Sequence, residues 1–158
     1  MPIASLADAS YSSRWLNAPT SALDVGTGRS WKDVGVRVLV VGAGVAGLTL
    51  AARLARQGRE PVVVERAADT DRGYAIGLYP LGSCVLHGIG AYDEFVGAGQ
   101  IVETYELADG AGRPLQTMDL KVLTEGIGPM VMLGRSDLLA LLERACGVPV
   151  RRGTTVSG

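Results

Sequence analysis

Between Val38 and Arg66 the chain reads VLVVGAGVAGLTLAARLARQGREPVVVER. The stretch opens as part of a short, continuous, β-branched run, VRVLVV, the pattern of a strand buried on both faces. Glycines at 42, 44 and 47 follow directly. From Gly47 to Gln57, the residues Leu48, Ala51, Ala52 and Ala55 share one helical face, and Arg53, Arg56 and Gln57 lie away from it. Gly58 supplies a helix stop. The next buried strand is PVVVE, residues 61–65. Strand, helix and strand in about thirty residues make a βαβ unit with a right-handed crossover.

Each glycine has a physical reason. Gly42 sits where the chain must turn sharply out of the strand. A side chain at Gly44 would stand between the backbone and a pyrophosphate, and Gly47 lets the helix lie close to the strand. The helix N-terminus offers free N–H groups and a partial positive charge to phosphates. The turn as a whole, Gly42, Ala43, Gly44, Val45, Ala46 and Gly47, is therefore the candidate phosphate-binding segment. Glu65 ends the second strand, where its carboxylate can accept both hydroxyls of an adenosine ribose and would repel a 2′-phosphate. The expected ligand has an unphosphorylated ADP-ribose end, as in FAD or NAD. Glycines of this kind also occur in turns that bind nothing. The flanking strand and helix, with an acid about twenty residues on, favour dinucleotide binding.

The 158 residues allow one domain with a real core. Apolar residues are 47% and charged residues 20%, the balance of a globular chain. A formal net charge of -1 gives no general attraction to nucleic acid or anionic lipid. No apolar run of about eighteen residues spans a membrane. No secretory leader is legible, and Cys84 and Cys146 lack metal-ligand spacing, so a reduced, cytoplasmic setting without a metal is expected.

Residues 1–33, rich in Ser, Ala, Thr, Asp and Gly, read as a flexible N-terminal extension in which Trp15 and Trp31 stand out. Residues 34–158 form the domain. Residues 66–80 carry loop signals. Leu81–Ile89 and Tyr92–Ala98 are short helices, and Ile101–Ala108 and Leu115–Leu120 are strands of a hairpin around DGAGRP. Met130–Leu133 is extended. Leu138, Leu141, Leu142 and Ala145 give a helix that opens near Asp137 and exits at Gly147, and Val148–Val150 begins another strand. His87 reads as a packing or surface residue, Cys84 as a small core residue, and Asp93, Glu94 and Asp137 as helix-start charges. No nucleophile, triad or catalytic residue is evident, which leaves the chemistry to a cofactor.

The rest of the chain chooses between FAD and NAD by resemblance. The segment 38–66 resembles the start of the class A FAD-dependent flavoprotein monooxygenases, the aromatic-ring hydroxylases of the para-hydroxybenzoate hydroxylase type. The Glu65-Arg66 pair, GYAIGLYPLGSCVLHGIGAYDEF (73–95), the hairpin 101–120 and MLGRSDLLALLERAC (132–146) follow in the family's order. The resemblance covers about 37–152. It implies an α/β, Rossmann-like FAD-binding domain with a parallel sheet. The inserted β-hairpin would come from the start of a substrate-covering domain. It also implies roles for three arginines. Arg135 would lie on the flavin side and bridge phosphate or ribityl oxygens. Arg66 would lie against the adenine, and Arg72 would face the pyrophosphate. Backbone at the glycines of 73–79 would approach the isoalloxazine ring. NADPH or NADH would be the reductant. O2 would supply one oxygen atom to a small-molecule aromatic or polyketide-like substrate.

Two later signatures of the family, a mid-chain Asp-Gly pair and a Gly-Asp-Ala segment, do not follow 152. The expectation is the N-terminal part of such an enzyme, incomplete relative to the family, weak or inactive alone and paired with a C-terminal companion chain. The alternatives are a non-catalytic nucleotide-binding remnant or split-enzyme subunit, and an NAD-dependent oxidoreductase fragment. The Arg135 region argues against the last.

Overall fold

In chain order the elements are β1 (Leu39–Val41), α1 (Val45–Arg56), β2 (Val62–Val64), β3 (Ala75–Leu78), α2 (Pro80–Ile89), α3 (Tyr92–Ala98), β4 (Gln100–Val102), β5 (Thr104–Ala108), β6 (Pro114–Asp119), α4 (Leu120–Leu123), β7 (Met130–Gly134), α5 (Arg135–Cys146) and β8 (Val150–Arg151). They come from a computed structural model that describes residues 37–69 and 73–157. The extension 1–33, with Trp15 and Trp31, and Arg72 lie outside the described residues.

The expected βαβ unit is present. β1 and β2 pair in parallel, with Leu39 beside Val62, Val40 beside Val63 and Val41 beside Val64. α1 crosses between them and buries Leu48, Ala51 and Ala52, the face that helical spacing indicates. It ends before Gly58, whose φ of +73° suits a residue without a Cβ. β8 adds to β2 in parallel, so the sheet order is β1-β2-β8. α5 packs along α1. Its Leu138, Leu141 and Leu142 join Val40, Val63, Leu86, Ile89 and Phe95 in one core cluster. Each such side chain, fully buried, contributes roughly 1.5–3 kcal/mol of transfer free energy. The core lies between the parallel sheet, the helices and a second sheet of order β3-β7-β4, which is antiparallel throughout.

Three features differ from the sequence reading. β3 lies inside the stretch 66–80 that reads as loop. AIGL has no strand period of its own, and only its antiparallel pairing with β7 makes it extended. The run 101–108 is not one strand but breaks at Glu103. Residues before the break pair with β7, and residues after it form the expected hairpin with β6. The Glu103 carbonyl accepts the Leu120 N–H at 2.8 Å, which ties the crossing point to the start of α4. Cys84 is only half-buried, whereas Cys146 is buried, and neither forms a disulfide.

The hairpin turn is set as its composition indicates. The Asp109 carboxylate accepts the N–H groups of Ala111 and Arg113, each at 2.9 Å. Asp93 and Glu94 fall in the first turn of α3, and Asp137 in that of α5. Glu94 also pairs with Arg144 of α5, which pins the two helices together.

Candidate functional site

The chain leaves β1 through Gly42, whose N–H donates to the Val64 carbonyl at 2.8 Å. The φ of Gly42 is +103°, a region that L side chains rarely adopt. α1 begins immediately above this turn. A Cβ built on Gly47 would stand 1.9 Å from the Gly42 carbonyl oxygen, so helix and turn touch backbone to backbone. Gly44 caps the helix with extended geometry and no side-chain hydrogen bond, and no acidic residue lies in the first turn. A Cβ on Gly44 would meet nothing within 4 Å. The first intrahelical bond runs from the Leu48 N–H to the Gly44 carbonyl at 3.0 Å. The N–H groups of Val45, Ala46 and Gly47 therefore have no helical acceptor. Open space, unpaired donors and the positive end of a helix dipole together make a cradle for an anion.

Glu65 closes one side of this cradle. Its Oε2 accepts the Ala43 N–H at 2.8 Å, which couples the glycine turn to the end of β2. Its Oε1 accepts the Ala67 N–H, also at 2.8 Å. These bonds hold the Glu65 carboxyl below the ordinary glutamate value, the Ala67 bond contributing most, with a further, smaller pull from the Arg152 charge. Each oxygen keeps a lone pair for a ligand hydroxyl. Backbone bonds lock the residue on its other edge, from the Glu65 N–H to the Arg151 carbonyl and from the Thr154 N–H to the Glu65 carbonyl, both 2.9 Å.

Ala67, Arg152 and Thr154 were not singled out by sequence reasoning. The two from the C-terminal end reach Glu65 only because β8 pairs with β2, and nothing local in RRGTT signals that. Arg152 also forms an ion pair with Glu143 of α5 through Nη2, and its Nη1 is buried without a partner.

The arginines separate. Arg66 is exposed beside Glu65. Arg135 opens α5, and its N–H donates to the Tyr74 carbonyl at 3.0 Å. A Cβ on Gly73 would lie 3.3 Å from the Arg135 Cβ, so the 73–74 backbone runs directly over this helix start. His87 stacks on Tyr92 with ring centroids 3.6 Å apart. Burial pushes its imidazole below the ordinary value, and Asp93 pulls in the other direction. His87 lies exposed at the surface of α2. Among the described residues no group of three or more His, Cys, Asp or Glu is placed to hold a metal ion. No described helix is long and apolar enough to cross a membrane.

The family model for the FAD binding domain matches residues 35–158. The chain belongs to this flavoprotein monooxygenase family. It is 40% identical over 112 residues to 3-amino-4-hydroxybenzoate 2-monooxygenase of Streptomyces cremeus, covering 67% of this chain and 28% of that one. It is 31% identical over 110 residues to an FAD-dependent monooxygenase of Penicillium brasilianum, covering 68% and 23%.

Among solved structures, 2-methyl-3-hydroxypyridine-5-carboxylic acid oxygenase shares 29% identity at a TM-score of 0.63, covering 74% of this chain and 31% of that one. The p-nitrophenol 4-monooxygenase of Pseudomonas putida DLL-E4, at 22% identity and a TM-score of 0.69, shares the fold over 74% of this chain and 31% of its own. The chain thus spans less than a third of the length of these relatives.

Proposed function

We propose that residues 42–47 and Glu65 hold the ADP half of FAD in a flavoprotein monooxygenase. The observation that carries this reading is the Ala43–Glu65 hydrogen bond. It ties the glycine turn, as the proposed phosphate cradle, to the carboxylate proposed for the ribose. The open space at Gly44 would admit a pyrophosphate, and the N–H groups at the start of α1 would hold its oxygens. Glu65, kept ionised, would take the ribose hydroxyls and exclude a 2′-phosphate. Arg66 would lie over the adenine and Arg72 near the pyrophosphate. Arg135, at the start of α5, would hold phosphate or ribityl oxygens with a charge that persists at any working pH. The backbone of 73–79 would stand along the ring.

Bound flavin supplies electron transfer from NADPH or NADH and activation of O2 for insertion into an aromatic or polyketide-like substrate. The protein's part is to position, to exclude water and to present dipoles. In this reading the glycine turn and Glu65 grip the ADP end of the cofactor and leave the covering of the ring to other structure. Hydroxylation thus requires further structure around the ring, such as a C-terminal companion chain.

Family membership favours FAD over NAD, and calorimetry on the purified chain tests it. Binding of FAD with little or none of NAD is expected. NAD affinity without FAD affinity would reject the flavin reading.

The pH response follows from Glu65. A carboxyl whose pKa is lowered in the folded protein stays charged above the ordinary value of 4.5 and protonates only below it. Its contribution to ribose binding is therefore constant from neutral pH down to that value and is lost as pH falls further. A titration of FAD affinity checks this, and a loss centred near neutrality would point to another group.

A further inference from the structure

We propose that Arg152 is a positioning residue of the cofactor site: Glu143 of α5 clamps its guanidinium beside the end of β2, where the charge holds the Glu65 carboxylate ready for the adenosine ribose. The proposal rests on the ribose role of Glu65 given above and deepens it.

The geometry comes from register. The last pair between β2 and β8 is Val64 with Arg151, so the two strands run on together into Glu65 and Arg152. Backbone bonds bracket that step. The Glu65 N–H donates to the Arg151 carbonyl, and the Thr154 N–H donates to the Glu65 carbonyl, both at 2.9 Å. Between them Gly153 turns with a φ of +66°. The Thr154 hydroxyl donates to the Arg152 carbonyl at 3.3 Å, which closes the turn. The side chain of Arg152 is fixed in its turn by the ion pair from Nη2 to Glu143 Oε2.

Two features set this arginine apart from a surface ion pair. Its side chain is 29% exposed, against 61% or more for the cations of the other ion pairs among the described residues. Its Nη1 is buried with no hydrogen-bond partner. Pairing one edge with Glu143 leaves that donor uncompensated, which is costly unless the charge acts on another group. Glu65 is that group. The Ala67 and Ala43 N–H groups do most to hold its carboxyl below the ordinary value, burial opposes them, and the Arg66 N–H and the Arg152 charge add smaller pulls. Arg66 is exposed and acts through its backbone, so Arg152 is the charged side chain that acts on Glu65.

In the open site water screens this charge. A nucleoside laid over Glu65 would remove that water. Burial then disfavours the carboxylate, and the attraction of a fixed cation grows as the local dielectric falls. Arg152 thus acts most strongly in the bound state, and it does so through Glu65 rather than by touching the cofactor.

Carbon NMR of labelled glutamate carboxyls follows the Glu65 titration, and calorimetry follows FAD binding, both on the full chain. Arg152→Gln and Arg152→Met remove the charge, one with a polar and one with an apolar side chain, and the unfolding midpoint of each shows that it folds. In either variant the Glu65 pKa should rise toward the ordinary value, and FAD affinity should fall by about threefold or more. Arg152→Lys, which keeps the charge, should restore both. Glu143→Gln breaks the same ion pair but leaves the Arg152 charge, so Glu65 should titrate as in the wild type or lower. In a Glu65→Gln background, Arg152→Gln should cost no further affinity.

A Glu65 titration unmoved by loss of the Arg152 charge overturns the proposal. So does a rise of equal size in Glu143→Gln, which would mark a structural ion pair only, and so does an affinity loss that persists in full without the Glu65 charge. A titration that moves while FAD binds neither sample keeps the coupling of Arg152 to Glu65 and removes the cofactor reading instead.

Discussion

Gly47→Ala is expected to cost a large part of the chain's stability. The added Cβ would stand 1.9 Å from the Gly42 carbonyl oxygen, 3.1 Å from its carbon and 3.4 Å from a methyl of Val40. Two of these atoms are backbone, held by the Gly42–Val64 hydrogen bond at 2.8 Å, so no side chain can rotate away. Either α1 lifts from the sheet, opening the core at Leu48, Ala51 and Ala52, or the turn breaks. A clash of this kind costs about 3 kcal/mol or more, against the roughly 5–15 kcal/mol that holds a domain folded. Denaturant unfolding should show a large drop in midpoint. A shift near zero would mean that the helix stands farther from the turn than described.

Gly44→Ala separates folding from binding at the same turn. Its added methyl meets nothing within 4 Å, and its backbone is extended, so stability should change by about 1 kcal/mol or less. The methyl nevertheless occupies the space proposed for the pyrophosphate, and FAD affinity should fall.

Glu65→Ala is expected to lose roughly 1–3 kcal/mol of FAD binding if its carboxylate is desolvated by the ligand, or about five- to hundred-and-fifty-fold in affinity. Two effects combine. The ribose loses its acceptor, and the N–H groups of Ala43 and Ala67 lose the oxygens that orient them at 2.8 Å. Glu65→Gln separates the two, since its amide oxygen can still accept one backbone N–H while the charge is gone. Calorimetry with FAD measures both variants. Wild-type affinity in Glu65→Ala would remove Glu65 from the site.

The segment 38–66 was legible because everything in it is local. The β-branched run, the three glycines, the apolar face of α1 and the acid at 65 each follow from sterics or periodicity within a few residues. The hairpin turn at Asp109 was legible for the same reason, through a carboxylate that bonds its own neighbours. α5 was legible from its leucine spacing, although its start at Arg135 rather than nearer Asp137 is set by β7 running directly into it.

Other features depended on residues far away in sequence. AIGL is a strand only beside β7, and the run 101–108 divides at Glu103 because its two ends find different partners, β7 and β6. Glu65 could be named from the sequence, but its setting could not. The Ala43 N–H reaches it because the turn folds back over β2, and Arg152 and Thr154 flank it because β8 pairs with β2. The local order and spacing of residues 38–66 determined that this chain folds around a glycine turn with an acid to match. Tertiary structure decided which donors meet that acid and which strands flank it, because hydrogen bonds between strands join residues by register and not by spacing.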